Sequence, residues 1–566
     1  MNNHINIKQQ FIKILSHPVV LVVLLNGILI SPSWVFRAAD TSHLFSFWYE
    51  REIFTLFWLS ADLLFLVTLM YITRFKPWHH RVRNAAMTIY LLLLTFEIYA
   101  AVIQQLFHRP PVLYNDLFLL VDALYLILNF GIGSWIISLL MLAVLGGLFF
   151  YVIPMMFNRL GASFRQDQFR SVILRVGIIL WIGTLLVQVD WGLHKRDGAA
   201  QLVSYRLGKS VRTSLQYYTI MKSTDLAVLE ERYTQFAERR WSSKPNVYFL
   251  ILESYGKVLM QRPDFREIYL DMISGFADSL QFHGWHGATN YSEAPVNGGG
   301  SWLSTATLLT GLRIANEPLY HKFKEAEMPN MVQVFKRHGY RTFYLGPANR
   351  GRPGIPLANP YGFDTQVQFN ELKYHGYHYG WGIIPDQYSL YFTEENYLKP
   401  TPEPVMLYFT SLATHTMWLD DAIPPIKSDW RDLNKTKEAP SSGENLLKHL
   451  EIRANEALLQ PYKPENFLRL LHYDLEIFRR YITREIPKNS VVIIVGDHQP
   501  PLVTNSAHGL QTIIHIISKD QDFVRQFSRD GFTPGFLKPV DAGETITHEE
   551  IYPILMEHLS VGTVEE

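Results

Sequence analysis

The chain has 566 residues, 48% of them hydrophobic, and its 52 Lys and Arg equal its 52 Asp and Glu. That balance provides no electrostatic footprint for a nucleic acid partner. With no cysteine in the sequence, disulfides are excluded as a support for any exported domain, whose core must suffice. A chain of this length exceeds a single core, and its apolar residues are concentrated before about residue 191.

Five stretches in that region approach bilayer length: Pro18 to Phe36, Glu52 to Ile72, Ala86 to Phe107, Ser134 to Phe157 and Ser171 to Val189. Arg74, Lys76, Arg81 and Arg83 follow the second, and Arg159, Arg165 and Arg170 follow the fourth. Basic loops remain cytoplasmic, and Lys8 and Lys13 agree with an inside N-terminus. An odd number of crossings then puts everything after Asp190 outside the cytoplasm. The first stretch lacks a small-residue cleavage site and reads as a retained anchor. Asp116 to Phe130 is short and carries Asp122, which suits an interfacial or re-entrant helix. Asp62 and Glu97 lie inside spans and suit a lipid or proton path as well as helix–helix hydrogen bonding.

These features divide the chain into a membrane domain over residues 1–191, a polar helical connector over 192–243, and a globular domain over 244–566. In the last, strand-length apolar runs alternate with amphipathic helices: Asn246 to Leu252, Arg341 to Leu345, Val405 to Thr410, Ser490 to Val495 and Thr512 to Ile517. This alternation predicts a mostly parallel sheet covered by helices, with ligands gathering beyond the carboxyl ends of its strands.

Four groups of polar residues fall at such ends. Glu253 follows the first run, His415 follows Val405 to Thr410, and Asp497-His498 follow Ser490 to Val495. Ser301 stands after Asn297-Gly298-Gly299-Gly300, where an apolar helix begins. Backbone N–H groups at a helix start stabilise negative charge, so a serine there suits a nucleophile, although a plain N-cap has the same pattern. Glu253 equally suits a helix cap, Asp497-His498 a turn, and His415 a satisfied loop position. Together, Glu253, Asp497 and His498 supply the oxygen and imidazole donors of one Zn or Mn ion, with the Ser301 oxygen completing the set.

These motifs carry a resemblance. The sequence resembles the membrane-anchored sulfatase-like families of the alkaline phosphatase superfamily, the lipoteichoic acid synthases and phosphoethanolamine transferases, through Leu252-Glu253-Ser254, the glycine turn before Ser301, Leu412-Ala413-Thr414-His415 and Asp497-His498. Trp381 to Asp386 resembles a further family segment with a structural role. The resemblance implies an N-terminal multi-span α-helical membrane domain joined to a C-terminal α/β sulfatase-like domain. It implies one divalent metal, Mn or Zn, on Glu253, Ser301, Asp497 and His498, with Ser301 as nucleophile and His415 beside the transferred phosphate. It further implies a cell-membrane transferase that moves a phospholipid head group, phosphoglycerol or phosphoethanolamine, to a glycan, lipid or polymer acceptor through a phosphoseryl intermediate. A hydrolase of phosphodiesters or sulfates and an inactive envelope scaffold are the other readings. Leu303 and Thr305, two and four residues after Ser301, depart from the signature that directs formylglycine formation in true sulfatases, and no Trp lies near Asn349 to Arg352, which leaves the head group open.

Overall fold

The computed structural model describes residues 17–37, 59–107, 109–119, 132–165, 178–179, 181–184, 186, 202–241, 243–349, 358–380, 384–415, 418, 423–435, 464–504, 507–541 and 543–560. The chain forms two compact units, Met1–Tyr218 and Thr219–Glu566.

The first unit is helical. Pro18–Arg37, Ala61–Ile72 and His79–Phe107 are helices, and Ile132–Gly147 continues through a wider π-helical turn, Leu148–Val152, into Ile153–Ser163. Among the described residues, two helices are long and apolar enough to cross a membrane, His79–Ile103 and Leu142–Ser163, while Pro18–Pro32 and Ala61–Ile72 are shorter apolar helices. Most of the expected span from Ser171 to Val189, and residues 120–130 of the expected interfacial helix, lie outside the described residues. Leu25, Leu63, Leu93 and Phe157 form the core of this unit. The two acids expected inside spans are paired. Asp62 accepts hydrogen bonds from Val203 N and Ser204 Oγ, and Glu97 forms an ion pair with Arg206. Both tether the helix Val203–Ser223, in keeping with the helix-bonding alternative for these acids.

The second unit is built on a nine-stranded sheet. Its strands are β1 (Asn246–Leu252), β2 (His286–Glu293), β3 (Arg341–Gly346), β4 (Thr365–Gln368), β5 (Val405–Thr410), β6 (Ser490–Gly496), β7 (Gln511–Ser518), β8 (Thr533–Pro534) and β9 (Ile546–Thr547). The order is β4-β3-β5-β1-β6-β7-β2-β8, with β9 beside β2. The helices that matter to the site are α1 (Pro263–Phe282), α2 (Ser301–Thr310), α3 (Asp386–Thr393), α4 (Pro464–Arg484) and α5 (His548–Leu559).

From β4 to β6 the strands are parallel, but β7 runs antiparallel to β6 and β2 antiparallel to β7. The sheet is mixed: four of the five expected strands run parallel, as a mostly parallel sheet requires, and only Thr512 to Ile517, in β7, runs against them. A parallel return needs a crossover, usually a helix, and the described residues between β6 and β7 include none.

The central strand β1 is apolar without alternation because both of its faces are covered. Tyr248, Leu250 and Leu252 enter one core with α1 and α4 residues such as Phe276 and Phe478, and Val247, Phe249 and Ile251 enter the other with α2 and α5 residues such as Leu308 and Leu555. The register pairs Leu252 with Gly496 and Ile251 with Thr410, so Glu253 and Asp497 leave the sheet at one level, with Ser411 one residue below.

Candidate metal centre

Glu253, Asp497 and His498 are buried, and one donor atom from each lies within 4.8 Å of the others. His498 Nε2 is 3.3 Å from both Glu253 Oε1 and Asp497 Oδ2. Ser301 Oγ is 3.2 Å from Glu253 Oε2 and 3.2 Å from His498 Nε2.

Local structure holds each group in place. Ser254, buried and at a left-handed φ of 61°, turns the chain sharply after β1, and its N–H donates to Asp497 Oδ1 at 2.8 Å. His498 N donates to the same oxygen at 2.8 Å. Asp497 Oδ1 is thereby used, while Oδ2 is buried with no hydrogen-bond partner. The turn before α2 uses two left-handed glycines, Gly298 at φ 73° and Gly299 at φ 59°. A side chain on Gly298 would meet Pro501 Cβ at 2.7 Å, so the turn packs closely on the segment after His498. Gly300 is the N-cap of α2 and Ser301 its first residue, and the Ser301 hydroxyl points to the acid and imidazole cluster. The N-cap alternative for Ser301 does not describe this helix.

The proton count bears on whether a cation fits. His498 Nδ1 lies 2.9 Å from Gln499 O, an acceptor, so Nδ1 carries the hydrogen and Nε2 presents its lone pair to the cluster. Burial, then the Asp497 charge, pushes the Glu253 carboxyl well above its usual range. Burial pushes Asp497 up too, but its neighbours, the Ser254 backbone N–H among them, hold it below its usual range. Two carboxyls, an imidazole lone pair and a hydroxyl oxygen thus converge in a buried space, with Asp497 Oδ2 left without a hydrogen-bond partner. This is the donor set that a divalent cation takes. Residues Glu253, Asp497, His498 and Ser301 would hold it.

The two other hydroxyls near the start of α2 are engaged elsewhere. Ser304 Oγ donates to Asp497 O at 2.7 Å, and Thr305 Oγ1 accepts from Tyr408 OH at 3.1 Å. His415 is half-buried on the loop after β5, next to Thr414, whose Oγ1 donates to Glu253 O at 2.6 Å. Ser411, at the start of that loop, accepts from Glu253 N at 3.1 Å. The loop is therefore fixed to the backbone of Glu253, although the hydrogen bonds run through His415's neighbours.

Three residues support the site, and two of them, Asp474 and His548, carry no motif in the sequence. Asp474 of α4 lies under the loop with Thr414 Oγ1 3.4 Å from its Oδ2. Asp386, at the first position of α3, accepts from Leu412 N and Ala413 N at 3.0 and 2.8 Å. It ends the Trp381 to Asp386 segment, whose expected role was structural. His548 of α5 takes a hydrogen bond from Ser292 Oγ at 2.7 Å and donates to Gly496 O at 3.1 Å, and burial pulls it down to about 4. It stays neutral and fixes the carbonyl just before Asp497.

Residues 264–524 match the protein-family model described as Sulfatase. No curated protein matches the chain. Among solved structures, the lipoteichoic acid synthase LtaP from Listeria monocytogenes aligns at 14% identity over 59% of this chain and 78% of that one, with a TM-score of 0.36. The lipooligosaccharide phosphoethanolamine transferase A of Neisseria meningitidis, an integral membrane protein, aligns at 11% identity over 95% of each chain, with a TM-score of 0.44. The periplasmic domain of EptC from Escherichia coli, solved as a complex with Zn, aligns at 15% identity over 57% of this chain and 84% of that one, with a TM-score of 0.35. The C-terminal unit is an α/β domain whose residues 264–524 are similar to the Sulfatase family.

Proposed function

We propose that this chain is a membrane-bound, metal-dependent transferase that moves a phospholipid head group, phosphoglycerol or phosphoethanolamine, to a glycan, lipid or polymer acceptor outside the cytoplasm. The observation that carries the reading is the Ser301 hydroxyl, 3.2 Å from both Glu253 Oε2 and His498 Nε2 at the start of α2. A divalent Zn or Mn bound there supplies charge that favours the deprotonated serine and screens the phosphoryl oxygens.

Ser301 Oγ, deprotonated, forms a bond to phosphorus as the bond from phosphorus to the diacylglycerol oxygen breaks. His415 gives that leaving oxygen its proton. In the second step the neutral His415 takes the proton of the acceptor hydroxyl, whose oxygen attacks phosphorus and releases Ser301. The N–H groups at the start of α2 favour the negative charge on the transferred group. A donor confined to the same surface as the enzyme gains proximity. The Sulfatase match supports chemistry at a phosphate or sulfate ester, and Leu303 and Thr305 argue against formylglycine maturation.

The test is incubation with labelled phospholipid followed by peptide mapping. Head-group mass on Ser301 is the expected result and identifies the head group; label on Ser304 or Thr305, or none, defeats the mechanism. Label that discharges only to water points to the hydrolase reading.

A further inference from the structure

The helix that carries Ser301 is held at its far end by a cation from the stretch before β1. α2 runs from Ser301 to Thr310, and every residue from Leu303 to Thr310 is buried. A helix packed in this way moves as a rod, so a shift of its last turn is carried to Ser301.

The last carbonyls of a helix lack partners within it. Here Arg232 Nη1 donates to Thr310 O at 3.0 Å and to Gly311 O at 2.6 Å, which also sets a positive charge at the negative end of the helix. Gly311 makes the approach possible, because it is left-handed at φ 67° and a Cβ on it would lie 2.6 Å from Arg232 Nη1. The guanidinium carbon lies 6.0 Å from the centroid of the Tyr552 ring on α5, within reach of a cation–π contact.

Arg232 belongs to the helix Ala227–Ala237, in the expected connector. Leu229 and Phe236 of that helix enter the same core as Leu308 of α2 and Tyr552 of α5. The first turn of α2 is tied to the same stretch through one more helix. Trp302 Nε1 donates to Glu317 Oε1 at 2.9 Å at the start of the helix Glu317–Ala326, whose Lys322 Nζ donates to Met221 O at 3.0 Å and to Thr224 O at 2.6 Å. Residues 221–237 thus brace α2 at both ends, and Arg232 makes the contact directly.

We propose that Arg232 is a positioning residue for the nucleophile: by fixing the last turn of α2 it sets where Ser301 Oγ stands against Glu253 and His498. The role rests on the transferase reading above. A misplacement of about 1 Å in a reacting atom costs on the order of 100-fold in rate, so loss of a brace that places the serine slows the chemistry, whereas loss of one that only supports the fold lowers stability and leaves the rate.

The test is single-turnover labelling of Ser301 by labelled phospholipid, in the full chain with Zn in detergent. Arg232→Met should slow labelling by about 10- to 100-fold at saturating donor, while the donor concentration that gives half the maximal rate changes by less than about twofold. Arg232→Lys keeps a cation and a donor at the carbonyls and should recover most of the rate. Thermal unfolding checks that each variant is folded, and Arg232→Gln, too short to span both carbonyls, replaces Arg232→Met if that variant is not. Parental labelling in the folded variant, or equal slowing in Arg232→Lys, would overturn the role.

A second readout is independent of phosphoryl transfer. The chain has no cysteine, so Ser301→Cys carries a single thiol, whose alkylation by iodoacetamide after chelation follows its thiolate fraction and its access. Adding Arg232→Met should change the alkylation rate at pH 7 by about threefold or more, the effect of a half-unit shift in the thiol. An unchanged rate means that residue 301 has not moved and defeats the positioning role alone. A parent protein in which Ser301 takes no label defeats the transferase reading, and the thiol then decides the placement.

Discussion

Asp386 and Asp474 are buried neighbours beneath the loop that carries His415. Asp386 has two backbone N–H groups to accept, from Leu412 and Ala413. Asp474 has the Asp386 carboxylate as its neighbour. Burial pushes Asp386 up to about 6, and burial together with the Asp386 charge pushes Asp474 well above the usual range. Two such carboxyls share one proton, and the donors around Asp386 assign it to Asp474, which donates to Asp386.

The first prediction follows from that assignment. Asp474→Asn keeps a donor toward Asp386 and should retain most of the turnover. Asp386→Asn keeps one oxygen for the N–H groups of Leu412 and Ala413 but sets an NH2 in place of the other, against Leu412 N, and should cost about 1–3 kcal/mol of stability, the penalty for an unsatisfied buried donor, and with it the placement of His415. Turnover and thermal unfolding of the two variants and of Asp474→Ala decide the matter. Equal losses in Asp474→Asn and Asp474→Ala would contradict the proton assignment.

The second prediction separates the three hydroxyls of α2. Ser301→Ala should abolish turnover by several orders of magnitude, as loss of a covalent nucleophile does. Ser304→Ala removes the hydrogen bond to Asp497 O and should cost about 1 kcal/mol of stability with turnover reduced far less. Thr305→Ala, which leaves Tyr408 OH without its acceptor, should behave like Ser304→Ala. Full activity in Ser301→Ala would refute the role of the serine.

Much of this site is legible in the sequence because its main donors stand one residue beyond apolar runs. Glu253 and Asp497 end strands whose continuous hydrophobicity marks them as buried on both faces, and the register between β1 and β6 brings them to one level. Ser301 is visible through the glycines that its left-handed turn requires. By contrast, β2 reads His286-Gly287-Ala288-Thr289-Asn290-Tyr291-Ser292-Glu293 and offers no apolar run, since its buried polar side chains are satisfied by distant partners. Thr289 bonds Gly535 O and His515, and Asn290 bonds Asp530 O and Lys538. Such pairings depend on tertiary structure, as does the contact of Asp386 with Asp474 across 88 positions of sequence. The reversal at β7 was also hidden, because a strand's composition does not encode its direction.

The third prediction concerns the metal. Elemental analysis of the purified chain should find about one Zn or Mn per molecule, as one shell of four donors requires. Glu253→Ala combined with Asp497→Ala should release it. Chelation of the parent protein should lower its unfolding temperature, because the cation no longer offsets the convergence of two buried carboxyls. Metal retained undiminished in the double variant would exclude this centre.

The fourth prediction tests the topology. The basic loops at Arg74 to Arg83 and Arg159 to Arg170 belong on the cytoplasmic side, so a reporter fused after Glu566 that works only outside the cytoplasm should be active. Activity from a reporter that works only inside would mean an even number of crossings.

The last prediction uses a histidine remote from the chemistry. His515 is fully buried in β7, and burial pulls it down to about 3 from 6.5. The single Thr289 hydroxyl proton goes to Gly535 O at 2.7 Å, so His515 Nδ1 carries its hydrogen and donates to Thr289 Oγ1, 2.8 Å away. Nε2 then accepts from Tyr255 OH at 2.9 Å. Folding therefore requires the neutral ring. The contribution of His515 is complete above about pH 6.5 and is lost as the pH falls toward 3, because the unfolded chain takes up a proton that the folded chain refuses. Between pH 7 and pH 5 this linkage removes about 2 kcal/mol, and His548, held down to about 4, removes a similar amount. Thermal or denaturant unfolding of the full chain at the two pH values should show both losses. His515→Gln, which keeps one donor and one acceptor, should be less stable at pH 7 yet lose about 2 kcal/mol less on going to pH 5. An unchanged pH dependence in that variant would mean that His515 is protonated in the folded protein.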